Sequence, residues 1–413
     1  MTRRAVITGL GLVTPIGIGI DAVWQRLHGS CSAVATISRF DPTPFRSHIA
    51  AQIDDFDAEA MLSPRQAKRT DRCSQLALAA ARLALSDAAL DVTAERPDRI
   101  GVLMGTALGG IGFAEMENQK YLEGGLRNVN PLLALTVFGG AVSCNIAITH
   151  GLAGVNATNS MSCASGTLAI GQALRAVATG EADVVLAGGA EAPLYPLCYG
   201  SFSLIRAMST RNADPATASR PFDAGRDGFV MAEGAAVLVV EELERAVARG
   251  ATIYGELAGF GHTNDAHHMT QPRPDGREAI RAMRAALDDG RCAPADVDWV
   301  NAHGSSTPLN DATEARAIRE VFGSHTNTLP VSATKGWHAH ALGASGAIET
   351  AIALLSMQRG WIPPTLNCEQ PVDDGQLMHV VGSGLDQHPQ AVLKNSFGFG
   401  GSNATLLLRA FRV

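Results

Sequence analysis

The sequence predicts an α/β fold built by duplication. Three observations predict it: apolar strand-like and Ala/Leu-rich helix-like segments alternate along the chain, one helix start recurs at a fixed offset, and a second helix-strand pair recurs in the same order. Residues 4–13 are β-branched and apolar, and with Gly9 and Gly11 they read as a buried strand entering a tight turn. A dinucleotide loop does not fit there, because the third glycine is missing and Pro15 stands where the helix should begin. Residues 74–90 read as a helix, 99–104 as a buried strand, 166–178 as a helix and 182–187 as a strand. This alternation implies a mostly parallel sheet with helices outside it.

Residues 164–180 (ASGTLAIGQALRAVATG) align without a gap to 344–360 (ASGAIETAIALLSMQRG) at an offset of 180, with six of seventeen positions identical. A looser match pairs 77–105 with 279–304, each ending in a strand that runs into a glycine. Together they predict two halves, 1–250 and 251–413, whose equivalent helix starts face each other across a pseudo-twofold axis. A site shared by both halves would then draw on residues just before 164 and just before 344.

Composition narrows the function classes. The chain has 413 residues, 46% of them hydrophobic and only 18% charged, which excludes disorder and a small disulfide-stapled module. From Asn128 to Leu174, 47 consecutive residues carry no Asp, Glu, Lys or Arg. A membrane span is excluded by content, since Asn130, Pro131, Asn145, Asn156, Asn159 and several glycines would leave polar groups unpaired in lipid. Burial inside protein, partly against another subunit, is the expectation. The N-terminus lacks an apolar stretch of signal length, so a cytoplasmic location is expected. Net charge is −7 and no basic run occurs, so nucleic acid is not an expected partner. Seven cysteines, an odd number with no CxxC pair, fit a reducing compartment in which one thiol is reactive.

The positions singled out by the repeat hold Cys163 and His340. Cys163 lies in NSMSCASG at a helix start, where free backbone N–H groups and the helix dipole are expected to lower its pKa. His303 lies in VNAHGSSTP, after an apolar strand and before a turn, a usual place for catalytic groups in α/β sheets. His340 lies in TKGWHAHALGASGAIE. Two histidine pairs offer a metal alternative, His267 with His268 and His338 with His340. Neither has a Cys or carboxylate at ligand spacing.

These residues resemble the β-ketoacyl-acyl-carrier-protein synthases, condensing enzymes of fatty-acid and polyketide synthesis. The resemblance rests on RAVITGLGLVTPIG, SMSCASG, RPFDAGRDGFVMAEGA, NDAHHMTQP, VNAHGSSTPLNDATEA, the TK…H…GASGAIE segment and NSFGFGGSN, in that order over essentially the whole chain. It implies a thiolase-like duplicated α/β fold with five layers, α-β-α-β-α. It also implies Cys163 as the acylated nucleophile, His303 and His340 as the pair acting on malonyl thioester, and Lys335 with Glu349 as a charged pair supporting His340. The backbone N–H groups of Cys163 and Phe399 would form the oxyanion hole, with the Phe399 ring as a gate. Ser305, Thr307, His268 and Thr270 would bind substrate, the first two through the phosphopantetheine arm, and Leu108 would line the acyl pocket. No permanently bound cofactor is implied. Asp311 and Glu314 look like supports of His303 or part of a solvated helix face, and Glu233 looks structural.

The sequence departs from the family pattern at His338 and Ala339, where Thr-Gly is usual, and at His267, where an aromatic residue is usual; either change is expected to reshape the mouth of the site or to alter its preferred partner. Acyl carrier protein is the implied partner. Because both proteins are acidic, docking needs a local basic patch, for which Arg65, Lys68, Arg69, Arg127 and Arg206 are candidates. The chain would form a homodimer, or a heterodimer with a homologous chain-length-factor subunit. The uncharged run would line the subunit interface and acyl tunnel. Thiolase is a weaker reading, since no cysteine follows Cys368. A non-catalytic chain-length factor is weaker too, since the nucleophile is present.

Overall fold

In the computed structural model, which describes residues 3–371 and 377–411, one succession of elements occurs twice. The first comprises β1 (Ala5–Thr14), α1 (Arg72–Asp87), β2 (Ile100–Gly105), α2 (Ala141–His150), β3 (Asn156–Asn159), α3 (Ser165–Ala178), β4 (Val184–Glu191) and β5 (Gly234–Glu242). The second comprises β6 (Gly255–Asn264), α4 (Arg277–Asp289), β7 (Trp299–Asn301), α5 (Pro308–Phe322), β8 (Pro330–Ser332), α6 (Leu342–Arg359), β9 (Ala391–Gly398) and β10 (Ser402–Arg409). The hydrogen-bonded orders are β3-β2-β4-β5-β1 and β8-β7-β9-β10-β6. In each set the third, second, fourth, fifth and first strands lie side by side in that order. A short pairing, Ala5–Leu257 to Ile7–Gly255, joins the two sets edge to edge.

The sheet differs from the mostly parallel one expected. In each set the pairings among the third, second and fourth strands are parallel, while those among the fourth, fifth and first are antiparallel. The reason is local for β9 and β10, because the turn Phe399–Gly401 between them is far too short for a crossover. The helices are not all outside either. α1 packs on the outer face of the first set and α4 on that of the second, whereas α3 and α6 lie between the two sheets and touch both. The result is the five-layered α-β-α-β-α arrangement. Every residue of α6 from Leu342 to Met357 is buried, as a helix covered on all sides must be.

Small residues set the spacing of these layers. A Cβ on Gly9 or Gly11 of β1 would sit 2.4 or 1.9 Å from the carbonyl oxygen of Ala84 or Ala80 in α1. In the second half Gly259 and Gly261 of β6 stand in the same relation to Ala286 and Ala282 of α4, at 2.2 and 2.0 Å. The N-terminal glycines are therefore a seat for a helix. The central crossing is made by the two glycines of the repeated Ala-Ser-Gly. A Cβ on Gly166 would lie 2.8 Å from the Gly343 oxygen, and one on Gly346 would lie 2.2 Å from Thr167 Oγ1. Because α3 and α6 cross at their first turns, the residues just before them, Cys163 and His340, are brought to one place.

Gly346→Ala is expected to lower stability by about 1–3 kcal/mol, because the added methyl meets the Thr167 hydroxyl and backbone. Equilibrium unfolding in denaturant checks it, and an unchanged midpoint would refute the crossing as a tight contact.

Candidate active site

Cys163 occupies the single turn between β3 and α3. Its predecessor Ser162 has φ 51°, an uncommon conformation for a residue with a side chain, and the turn is held by Ser165 Oγ donating to Ser162 O at 2.7 Å and to Thr106 O at 3.2 Å. The thiol is buried, and burial raises its pKa despite the opposing Ser162 hydroxyl, the Lys335 charge and the Phe399 N–H. This corrects the lowered pKa expected from the helix start: in a buried pocket the loss of hydration outweighs the helix terminus. Gly398 passes close to Cys163, so that a Cβ there would be 3.1 Å from the Cys163 nitrogen. The Phe399 N–H that follows is directed at the sulfur.

His303 follows β7 and His340 precedes α6, and their rings meet edge to face with centroids 5.3 Å apart. Burial, reinforced by the nearby lysine charges, pushes both imidazoles well below their ordinary pKa, so both are neutral. The proton on His303 is assigned by its neighbour. Lys335 Nζ, which can only donate, lies 3.3 Å from Nδ1 and 2.6 Å from the backbone oxygen, so Nδ1 accepts and Nε2 carries the hydrogen. His340 Nδ1 is instead 2.8 Å from the Ser345 hydroxyl, a residue of the repeated Ala-Ser-Gly. The Lys335–Glu349 pair is present, but it serves His303 rather than the expected His340, because the short helix Lys335–His338 turns the lysine toward the end of β7.

Beneath the imidazoles lies a fully buried charge network. Glu349 binds Lys335 through one oxygen and Lys394 of β9, at 2.8 Å, through the other. Burial alone would raise this carboxyl; the two lysines hold it below its ordinary value. Glu314 of α5 is buried and accepts from the backbone N–H groups of His303 and Gly304 at 2.7 and 2.8 Å and from Asn395 Nδ2 at 3.2 Å. It is a support of the His303 loop, not a solvated face. Burial pushes it up to about 7. Asp311 is buried as well and accepts from the Phe222 N–H. Glu233 is gripped by Arg39 and Arg72, away from the cleft.

Cys163, His303, His340, Phe399, Ser305, Thr307, His268 and Thr270 all line one cleft of about 600 Å3 including its open mouth. Ser305 Oγ and Thr307 Oγ1 are 2.9 Å apart within it. Phe399 lies in a turn whose Gly400 has φ 83°, and the Gly400 N–H bonds Met269 O at 2.8 Å, tying this turn to the loop that carries His268. Leu108 does not line the cleft; it packs into the apolar cluster with Cys163, Leu342, Phe202 and Phe229. His338 does not shape the mouth as expected, since it is wholly buried with Nε2 3.1 Å from the Thr334 hydroxyl, and burial pushes it down to about 4. Ala339 is buried with it, while His267 is exposed near the mouth. Arg65, Lys68, Arg69, Arg127 and Arg206 are all exposed. Among the described residues no three His, Cys, Asp or Glu side chains are grouped to hold a metal ion, and no helix is long and apolar enough to cross a membrane. Lys394 and Ser345 went unnoticed in the sequence. Lys394 had a signal, since it is one of only four lysines and adjoins NSFGFGGSN.

The doubled fold with a cysteine and two neutral imidazoles at its crossing defines a thiolase-fold condensing enzyme. Residues 2–246 match the N-terminal domain of β-ketoacyl synthase and residues 254–369 its C-terminal domain, and the chain belongs to this family. Over 406 residues, 98% of each chain, it is 43% identical to 3-oxoacyl-acyl-carrier-protein synthase 2 of Coxiella burnetii. It is 42% identical to the Synechocystis enzyme of the same name over 99% of each chain. Among solved structures it is similar to a type II PKS ketosynthase in complex with its acyl-carrier protein and bound to the hexaketide (TM-score 0.91, 34% identity, all of both chains). It is similar also to the ishigamide ketosynthase/chain length factor (TM-score 0.93, 32% identity, all of both chains).

Glu314→Ala is expected to destabilise the protein by about 2–4 kcal/mol, because two buried N–H groups lose their acceptor. Glu314→Gln should recover only part of this, since both carboxylate oxygens are used. Denaturant unfolding of the three proteins checks the order.

Proposed function

We propose that the chain is the active ketosynthase of a type II polyketide or fatty-acid system, joining an acyl group to a malonyl unit on acyl carrier protein. The observation that carries this reading is the convergence of Cys163, His303 and His340 on one cleft, with His303 presenting an Nε2–H. Cys163 comes from the half 1–250 and both imidazoles from 251–413. In the first step Cys163 sulfur attacks the acyl thioester, and its proton goes to the departing carrier sulfur, which leaves as the thiol. The backbone N–H groups of Cys163 and Phe399 receive the developing oxyanion. In the second step malonyl thioester loses CO2, and the enolate oxygen is held by the N–H bonds of His303 and His340. The enolate carbon attacks the acyl-cysteine, expels the Cys163 thiolate and yields the 3-oxoacyl thioester. Lys335 and Glu349 orient His303. Ser305 and Thr307 bind the phosphopantetheine arm, and His268 and Thr270 the substrate near the mouth.

The carrier protein docks on Arg65, Lys68, Arg69, Arg127 and Arg206, whose exposure supports a local positive patch on an acidic protein. A second, homologous chain covers the apolar surface of the region 111–205, where Tyr121, Leu126, Leu135, Phe138, Ile148 and Met161 are exposed. This takes in much of the uncharged run, and β3, which ends the sheet there with one edge open, suits such a contact. Similarity to a ketosynthase/chain length factor favours the heterodimer as a second reading, with this chain as the member that retains the nucleophile.

Intact-protein mass spectrometry after incubation with acyl-carrier protein should show acylation of the wild type and none of Cys163→Ala; absence of the adduct in the wild type would overturn the mechanism. Cys163→Gln should still release CO2 from malonyl-carrier protein but form no 3-oxoacyl product. Charge reversal of Lys68 and Arg69 to Glu should raise KM for the carrier protein about tenfold with kcat little changed, read by steady-state kinetics at low salt.

A further inference from the structure

Two lysines share the one buried carboxylate under the site, and only Lys335 touches an imidazole. Lys394 Nζ lies 2.8 Å from Glu349 Oε2, 2.8 Å from the Asn395 carbonyl and 3.3 Å from Thr167 Oγ1, and it also donates to Ser396 Oγ. It is wholly buried. Burying an ammonium carries a desolvation cost of several kcal/mol, and Glu349 already has a partner in Lys335, so pairing the carboxylate does not require a second cation. With Glu349 ionised and both lysines charged, the cluster has a net charge of +1.

We propose that Lys394 is a positioning residue of the condensing site: by taking the second oxygen of Glu349 it leaves a net positive charge under the imidazoles that adds to the effect of burial on His303, with Lys335 on its Nδ1 and its Nε2–H toward malonyl thioester. The groups around His303 are consistent with this. Lys335 and His338 lie in the short helix before α6, His340 at the start of α6 and Glu349 within it, Glu314 and Asp311 on α5, Lys394 on β9, and Cys163 across the cleft. Glu314 is bound through the His303 and Gly304 amides, and burial pushes its pKa up, which makes it a weaker counterweight than Glu349. Lys394 lowers the affinity of both His303 and His340 for a proton. Lys394 itself is pushed down to about 8 by burial, with Glu349 opposing, and is charged through the acid range.

Removing a cation raises the imidazole pKa, so protonation silences the site at a higher pH. Lys394→Met should move the acid limb of kcat/KM for malonyl decarboxylation upward by about one pH unit, with activity above the limb within about threefold of wild type. Lys394→Arg should keep the wild-type limb. Lys394→Met combined with Glu349→Gln restores the net charge of +1, through Lys335 alone, and should return the limb toward wild type. A structural role would instead lower activity at every pH and leave the limb of both variants where it is in the wild type. A folded Lys394→Met protein with an unmoved limb overturns the proposal. If that variant does not fold, Lys394→Gln, which retains hydrogen bonding, carries the same expectation. The proposal rests on His303 serving malonyl thioester, so His303→Ala is measured alongside. Retained decarboxylation there refutes that reading, whereas its loss with an unmoved Lys394→Met limb refutes this proposal alone.

Discussion

The crossing of α3 and α6 at Gly166 and Gly346 is the constraint on which the rest of the molecule depends. The two helices touch at their first turns and are covered by strands of both sets, which gives the layered arrangement its centre. It also determines where chemistry can occur. The turn before each helix must point away from the crossing, and both turns emerge on the same side, into one cleft. The serines of the repeat divide their work accordingly: Ser165 ties down the turn that bears Cys163, and Ser345 holds His340.

Burial makes this site effective and also makes it costly. Both imidazoles are kept neutral because hydration is withdrawn from them, and the same withdrawal keeps the Cys163 thiol protonated at rest. On the proposed mechanism the buried thiol would become a nucleophile only when a bound thioester and the N–H groups of Cys163 and Phe399 stabilise the charge that develops. Charged groups are therefore placed under the reacting atoms, not among them. Glu349 between Lys335 and Lys394, and Glu314 on the His303 amides, support the imidazoles while leaving their faces to an apolar cleft.

Much of the fold was legible because helix and strand periodicity, and the repeated Ala-Ser-Gly, are local properties of the chain. The same glycines that looked like a tight turn at Gly9 and Gly11 proved to be helix seats, and their counterparts Gly259 and Gly261 had gone unremarked. Strand direction was misjudged because periodicity does not record whether neighbouring strands are joined by a crossover or by a short turn such as Phe399–Gly401. For Glu314 and Asp311 the sequence does not separate a support from a solvated face, since a carboxylate on a helix looks alike in sequence whether water or backbone amides surround it.

By itself the sequence determined the doubled architecture and singled out Cys163, His303 and His340 as candidates for one site, because these depend on pattern and on motif order. Tertiary structure decided which imidazole Lys335 serves, that His338 is buried and not at the mouth, and that Cys163 is raised and not lowered in pKa. It also revealed Lys394 as the second partner of Glu349, a pairing across 45 residues of chain that no local signal encodes. The physical reason is the same in each case. Charge state and hydrogen-bond partnership depend on what surrounds a group once water is gone, and that is set by the packing of distant segments.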